Sequence, residues 1–355
     1  MTLADYTTLR VGGEARELIV ARSRGELVDA VLGSWSIGEE PVLLGGGSNV
    51  VIADAGIDAP VVLVRSRGVE RLPSIEGVAR LRIEAGEPWD DLVAHTVQNG
   101  WRGLEALSGI PGTVGAAPIQ NIGAYGYEVK DTLVSIEFLD EASGQIVVLG
   151  RDDLGLDYRT SVVKRGRRGV VLSVDLDLVD TMAGAGAPDA AGPDSSAPPL
   201  HDQLAAVLDL DGGPPSLEQV RRAVLAVRGA KGMVLDPADP DSVSAGSFFT
   251  NPIVSASFAS GLPDTAPRWA VPASEGVPER VKLSAAWLIE RAGIRRGFGL
   301  PGSGAGISSK HTLAIVNRGG ATAADITELA RLAQERVRNE FGVTLHPEPV
   351  YLGDP

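Results

Sequence analysis

The segment Pro41-Val-Leu-Leu-Gly-Gly-Gly-Ser-Asn-Val-Val-Ile-Ala-Asp54 constrains this chain more than any other. An apolar run enters three consecutive glycines. The run that leaves them, Val50, Val51 and Ile52, is β-branched, so the unit reads as strand, loop, strand. A Gly-x-Gly-x-x-Gly dinucleotide turn needs a helix after its glycines, and a Walker loop ends in Gly-Lys-Ser/Thr; neither pattern is met. An anion bound here would be held by converging backbone N–H groups at Gly45, Gly46 and Gly47, which lack Cβ atoms, with Ser48 and Asn49 adding side-chain donors. The same residues also suit a tight hairpin turn.

A second segment, Gly109-Ile-Pro-Gly-Thr-Val-Gly-Ala-Ala-Pro-Ile-Gln-Asn-Ile-Gly-Ala-Tyr-Gly126, is built from small residues with two amides. Such a backbone can approach a flat ligand closely, as an isoalloxazine ring requires, while Gln120 and Asn121 offer donors and acceptors. Alone, a Gly/Ala/Pro loop is more often a structural connector. With 44 glycines and 23 prolines in 355 residues, the chain favours tight turns over long helices.

Residues 17–21, 41–44, 50–53, 61–64, 80–84, 133–139, 146–149 and 170–178 read as strands. Ser23-x-x-Glu26 has capping-box spacing before Leu27, Ala30 and Val31, and Trp89, Leu92, Val93 and Val97 repeat the helical period before Gly100. Residues 183–199 contain only Ala, Gly, Pro, Asp and Ser, which cannot bury enough apolar surface to offset ordering; they read as a disordered loop or linker. Beyond them, Ser216-x-x-Gln219 caps a helix with Leu217, Val220, Val224 and Val227 inward. A strand is expected over 247–254 and a short helix over 284–292. The longest helix opens at Thr322, carries Ile326, Leu329, Ala333 and Val337 on one face, and stops at Gly342. The fold class is α+β.

The formal charge of −14 disfavours a nucleic-acid partner. The chain has no cysteine, which removes disulfides, thiolate metal sites and covalent attachment of a cofactor through sulfur. Its four histidines, His95, His201, His311 and His346, lack ligand spacing, so no metal is expected. With no signal sequence and no apolar run long enough to span a bilayer, the expected setting is cytoplasmic, without membrane insertion or an obligate protein partner.

In order and spacing, Thr8-Leu-Arg-Val-Gly-Gly13, both glycine-rich segments, Tyr158-Arg-Thr-Ser161, Gly246-Ser-Phe-Phe-Thr-Asn-Pro252, Ala285-Ala-Trp-Leu-Ile289 and Leu345-His-Pro-Glu348 resemble the UDP-N-acetylenolpyruvoylglucosamine reductase family, in its longer-loop branch. The resemblance covers nearly the whole chain. It implies a two-lobed FAD-binding domain of the p-cresol methylhydroxylase type over 1–182, the linker over 183–199, and a smaller α+β substrate-binding domain over 200–355 whose last segment returns Glu348 to the active site. It also implies noncovalent FAD, NADPH as hydride donor, and reduction of UDP-N-acetylglucosamine enolpyruvate to UDP-N-acetylmuramate for peptidoglycan.

By position, the resemblance makes Arg159, Ser247 and Glu348 catalytic. Hydride arriving at C3 of an enolpyruvyl ether pushes charge onto C2 and the carboxylate, which a fixed guanidinium such as Arg159 can stabilise. Ser247 is the proton donor to C2. Glu348 either polarises the enol or orients Arg159. FAD contacts are expected from Gly45, Gly46, Gly47, Ser48, Asn49, Ile110, Pro111, Gly112, Gly115, Ala116, Gln120, Asn121, Gly123, Ala124 and Tyr125. Arg228 and Lys231, three apart at a helix end and on one face, suit the substrate diphosphate, and Asn251 the nucleotide. The chain departs from the family pattern twice. No tyrosine precedes Leu204, where His201 is the nearest counterpart, and Val350 replaces an arginine after Glu348. An oxidase sharing the flavin fold, or a nucleotide-sugar-binding protein without catalysis, would fit the glycine-rich segments too; Arg159, Ser247 and Glu348 together argue against the second, and the first is told apart by its oxidant and substrate.

Overall fold

A computed structural model describes residues 2–183, 202–208, 214–271 and 279–353. All but the first residue of the low-complexity stretch 183–199 lie outside these, as does His201. The chain forms two compact units: a mid-chain unit, Arg16–Gly46 with Ala59–Gly229, and a terminal unit, Met1–Ala15 with Gly47–Asp58 and Ala230–Pro355. This differs from the division expected at 183–199, for two reasons. The C-terminal strand Val350–Leu352 pairs in parallel with Val50–Ile52, which draws residues 47–58 into the terminal unit. The helix Leu217–Gly229 packs within the mid-chain unit.

The mid-chain unit holds two sheets. Val42–Leu44 lies parallel to Ile57–Val64, with Ala15–Ala21 on the other side. A larger antiparallel sheet runs Gln145–Gly150, Leu133–Asp140, Gly169–Asp180, Val78–Glu84, Val69–Leu72. Its longest strand serves two cores. Val174, Leu176 and Leu178 point into one core with Trp89, Leu92 and Leu104. Past a register shift opposite Glu137 and Phe138, Val170 and Leu172 join Leu27, Val31 and Val62 in the other. A bulge at that point changes which residues face which side, so a single strand ties two lobes together. Leu176 is fully buried, and its truncation to alanine would cost about 2–5 kcal/mol. On the opposite face, Arg80 and Arg82 make forked ion pairs with Asp177 and Asp175 across the strands.

Local signals set the helices. α1 (Arg24–Ser36) starts where Ser23 Oγ accepts from the Glu26 N–H, and Glu26 accepts from Arg22 N–H at 2.6 Å. α2 (Trp89–Gln98) stops before Gly100, whose φ is +70°. α3 (Asp202–Ala205) is one turn, and α4 (Leu217–Gly229) begins with the reciprocal Ser216 and Gln219 cap.

In the terminal unit, α5 (Ala256–Ser260) and α6 (Ala285–Arg291) precede α7 (Ala323–Phe341). α7 buries Ile326, Leu329, Ala333 and Val337, and Gly342 ends it at φ +68°. Besides its Thr322 and Asp325 cap, the Asp54 carboxylate accepts from Ala323 and Ala324 N–H at 2.8 and 3.1 Å, placing negative charge at the positive end of the helix dipole. The strand expected over 247–254 is two strands, Ser244–Ser247 and Ile253–Ser255. Between them, Thr250 N–H turns to His346 O, and Pro252 lacks the N–H a ladder needs.

Candidate active site

Ser247 closes a strand paired with Ala314–Asn317, and its direction is set by a bulge. Ser244 lies opposite Val316 and Ser247 opposite Ala314, so the Ser247 strand carries one residue more than its partner. Gly246, at φ +73°, absorbs the extra residue in a conformation that side chains rarely adopt. Glu348 arrives alongside: its N–H donates to Phe248 O at 2.9 Å, while Thr250 N–H donates to His346 O at 3.1 Å. Asn49 then holds Glu348, donating from Nδ2 to its carbonyl at 3.2 Å and accepting from Val350 N–H. The terminal unit thus brings together Ser247, Glu348 and the second half of the first glycine-rich loop. That loop is no hairpin, because its flanking strands pair in different sheets.

The mid-chain unit brings the other halves together. A Cβ on Gly46 would stand 2.6 Å from Gly112 Cα, and one on Gly45 would stand 2.5 Å from Thr113 Oγ1. The two glycine-rich segments therefore lie backbone against backbone. Arg65 donates to Gly45 O at 2.9 Å. Trp89 N–H donates to Gly112 O, and Val114 and Gly115 N–H donate to Glu87 and Ala85 O, which fixes the second segment on the end of the strand Val78–Glu84. Ile110 and Ala124 pack on the core beneath it, Pro111 and Gln120 are half-buried, and Ala116 is exposed. At Gly46 this close approach leaves no room for a side chain.

Three non-glycine residues of this unit have left-handed backbones: Asn121 at φ +46°, Tyr125 at +54° and Arg159 at +53°. Strain of this kind persists only where surroundings enforce it. Arg159 donates to Asn121 O at 3.3 Å and to Gly123 O at 2.7 Å, so its guanidinium is anchored to the glycine-rich loop itself. Asn121 departs from its expected part as a ring contact. It is fully buried; its Nδ2 donates to Glu128 and to Asp157 O, and its Oδ1 accepts from Lys130 N–H. Its amide therefore shapes the loop and presents Arg159.

Arg228 donates to Gly109 O at 3.2 Å. Burial pulls its guanidinium below the ordinary value, Tyr125 and Asp90 oppose this, and the like charge of Arg159 adds to it. Lys231 does not share a helical face with Arg228: α4 ends at Gly229, and Lys231 lies beyond it in the terminal unit, near His311. The His311 imidazole is pushed down to about 4 by burial and by Lys231, so it is neutral at pH 7. Asn251 Oδ1 accepts from Ala285 N–H at 3.0 Å, at the start of α6. Val350 is exposed at the start of its strand. Sequence reasoning missed Asp90, Arg221 and Glu128, which hold the loop and helices in place. Their only local signal was an acidic first turn for Asp90.

A family model described as UDP-N-acetylenolpyruvoylglucosamine reductase, C-terminal domain, matches residues 237–352, and one described as FAD binding domain matches residues 16–150. A protein of Leifsonia xyli subsp. xyli named UDP-N-acetylenolpyruvoylglucosamine reductase is 55% identical, covering 99% of this chain and 98% of its own. One of the same name from Saccharopolyspora erythraea is 48% identical over 99% and 94%. The crystal structure of the reductase from Thermus caldophilus superposes with a TM-score of 0.63 at 28% identity, covering 99% of this chain and 98% of that one.

Proposed function

The chain belongs to the UDP-N-acetylenolpyruvoylglucosamine reductase family, and from that premise we propose how its own residues carry the reaction. It is an FAD-dependent oxidoreductase of peptidoglycan precursor synthesis, reducing UDP-N-acetylglucosamine enolpyruvate to UDP-N-acetylmuramate with NADPH. FAD, when bound, carries two electrons from NADPH to the enolpyruvyl double bond. Gly45, Gly46, Gly112 and Gly115 would hold it where the backbone tolerates no Cβ, and Gly47, Ser48 and Asn49 would offer donors to its pyrophosphate. Attachment is noncovalent, in keeping with a chain that lacks cysteine.

The observation that carries the assignment of roles is Arg159, held in a left-handed backbone with its guanidinium tied to Asn121 and Gly123. A cation preorganised in this way stabilises the charge that develops on C2 and the carboxylate without having to reorganise. Ser247 donates the proton to C2, aimed by the bulge at Gly246. Glu348, placed one backbone hydrogen bond from Phe248, assists by orienting the cation or polarising the enol. Arg228 takes the diphosphate, and Asn251 supports the nucleotide end. A cytoplasmic setting belongs to this reading, because NADPH and a UDP-sugar are charged solutes that a bilayer excludes. Among the described residues, no helix is long and apolar enough to cross a membrane.

The test is NADPH consumption by the FAD-loaded protein. Oxidation that begins only when UDP-N-acetylglucosamine enolpyruvate is added, with UDP-N-acetylmuramate formed in equal amount, is the expected result. Oxidation driven by oxygen and indifferent to that substrate would refute the reading and favour an oxidase.

A further inference from the structure

Gly109, where the second glycine-rich segment begins, is held through both of the peptide groups that flank it. Its N–H donates to Asp90 Oδ1 at 2.6 Å, and its carbonyl accepts from Arg228 Nη2 at 3.2 Å. Gly109 is buried and sits at φ +71°, a backbone conformation that side chains rarely adopt. Asp90, in the first turn of α2, also forms a forked pair with Arg221, at 2.6 and 2.8 Å. Although burial opposes it, hydrogen bonds from Arg221 and the Gly109 N–H, with the charge of Arg228, keep the Asp90 carboxyl below its usual range. Arg221 and Arg228 are seven residues apart on α4 and therefore project from the same face. The contacts close into a ring: Arg228 to the Gly109 carbonyl, from the Gly109 N–H to Asp90, on to Arg221, and along α4 back to Arg228.

Resting on the function proposed above, we propose that Asp90 and Arg221 are positioning residues that set Arg228 for the substrate diphosphate and couple occupancy of that site to the 109–126 loop. The physical reason is economy of freedom. Without the forked pair, α4 loses its charged tie to α2, and Arg228 would place its long side chain from a looser helix. An anion that draws on the Arg228 guanidinium competes with Gly109 O for the same N–H groups. The peptide group that follows Gly109 then shifts while the one before it stays on Asp90, and the change passes into the loop proposed to lie against the flavin. In the Asp90→Asn variant the neutral amide would still accept from Gly109 N–H, yet it would bind Arg221 with one uncharged oxygen in place of a carboxylate fork.

The experiment uses FAD-loaded full-length protein, with UDP as the probe, in wild type and in Asp90→Asn, Arg221→Met and Arg221→Lys. UDP should perturb the visible flavin spectrum of the wild type. In Asp90→Asn and Arg221→Met, FAD retention and the rate of flavin reduction by NADPH should stay near wild type. UDP affinity should fall and the KM for the enolpyruvyl substrate should rise, each roughly tenfold, with kcat changed by less than about twofold. Arg221→Lys should be intermediate, since an ammonium keeps the charge and loses the fork. Wild-type UDP affinity and an unchanged spectral response in Asp90→Asn would overturn the proposal. So would FAD content, kcat and KM all failing together in step with melting temperature, which marks a simple staple. A wild type that binds no flavin or ignores the enolpyruvyl substrate would instead bring down the functional reading, and this inference with it.

Discussion

Gly46→Ala tests the cofactor surface at its tightest point. The added Cβ would sit 2.6 Å from Gly112 Cα, 3.1 Å from its carbonyl carbon and 3.2 Å from its nitrogen. Ordinary carbon contacts lie near 3.5–4.0 Å, so one backbone must retreat by roughly 1 Å. Neither can do so freely, because Gly112 O accepts from Trp89 N–H and Gly45 O accepts from Arg65. Overpacking of this kind costs about 1–3 kcal/mol. If the same backbone holds FAD, that strain corresponds to roughly 5- to 150-fold weaker flavin binding. The contrast with Gly45→Ala sharpens the test. There the obstacle is the Thr113 hydroxyl at 2.5 Å, while Thr113 Cβ stands at a comfortable 3.6 Å. Thr113→Ala should therefore rescue Gly45→Ala and leave Gly46→Ala unrescued. Flavin retained after exhaustive dialysis, measured by absorbance with a parallel melting curve, reports both effects. Wild-type flavin content and melting temperature in Gly46→Ala would refute the close stacking of the two segments.

Arg159→Lys should slow reduction of the enolpyruvyl substrate by about 10²–10³-fold, as for loss of a preorganised charge donor, because a compact ammonium cannot reach Asn121 O and Gly123 O together. Single-turnover kinetics on that step provide the check, and a loss confined to KM would contradict it. His311 titrates at about 4 when folded against 6.5 ordinarily, so the unfolded chain takes up its proton first as pH falls. The stabilising contribution is complete above about 6.5 and lost between 6.5 and 4, and His311→Asn should flatten the fall in melting temperature across that window. An unchanged slope would show that other groups govern it.

What could be read from the sequence was local. Ser23, Ser216, Ser284 and Thr322 each announce a helix within a few residues, and alternating apolar runs announce the strands. Pairing was hidden wherever it depends on distant chain. Nothing in Val50, Val51 and Ile52 says that their partner is Val350–Leu352 and not the neighbouring Val42–Leu44, and that one choice turns an apparent hairpin into a passage between units. Asp90 and Arg221 are 131 residues apart, with no periodicity linking them. Lys231 reads as part of the helix of Arg228 because a basic residue near a helix end looks the same on either side of the last turn. Asn121 was read as a ligand donor because an amide in a glycine-rich loop has that capacity; only the folded loop reveals that Glu128, Asp157 and Lys130 use it. The motifs that carry Arg159, Ser247 and Glu348 are legible in the sequence, whereas the left-handed backbone at Arg159 and the bulge before Ser247 are not.

Rapid mixing of the two halves of the reaction in Ser247→Ala tests the central claim most directly. Reduction of the bound flavin by NADPH needs no proton from Ser247 and should proceed near the wild-type rate. Reduction of the enolpyruvyl substrate should slow by about 10²–10⁴-fold, the range for loss of a positioned general acid. Equal slowing of both halves, or an unchanged second half, would contradict the assignment of Ser247 as the proton donor.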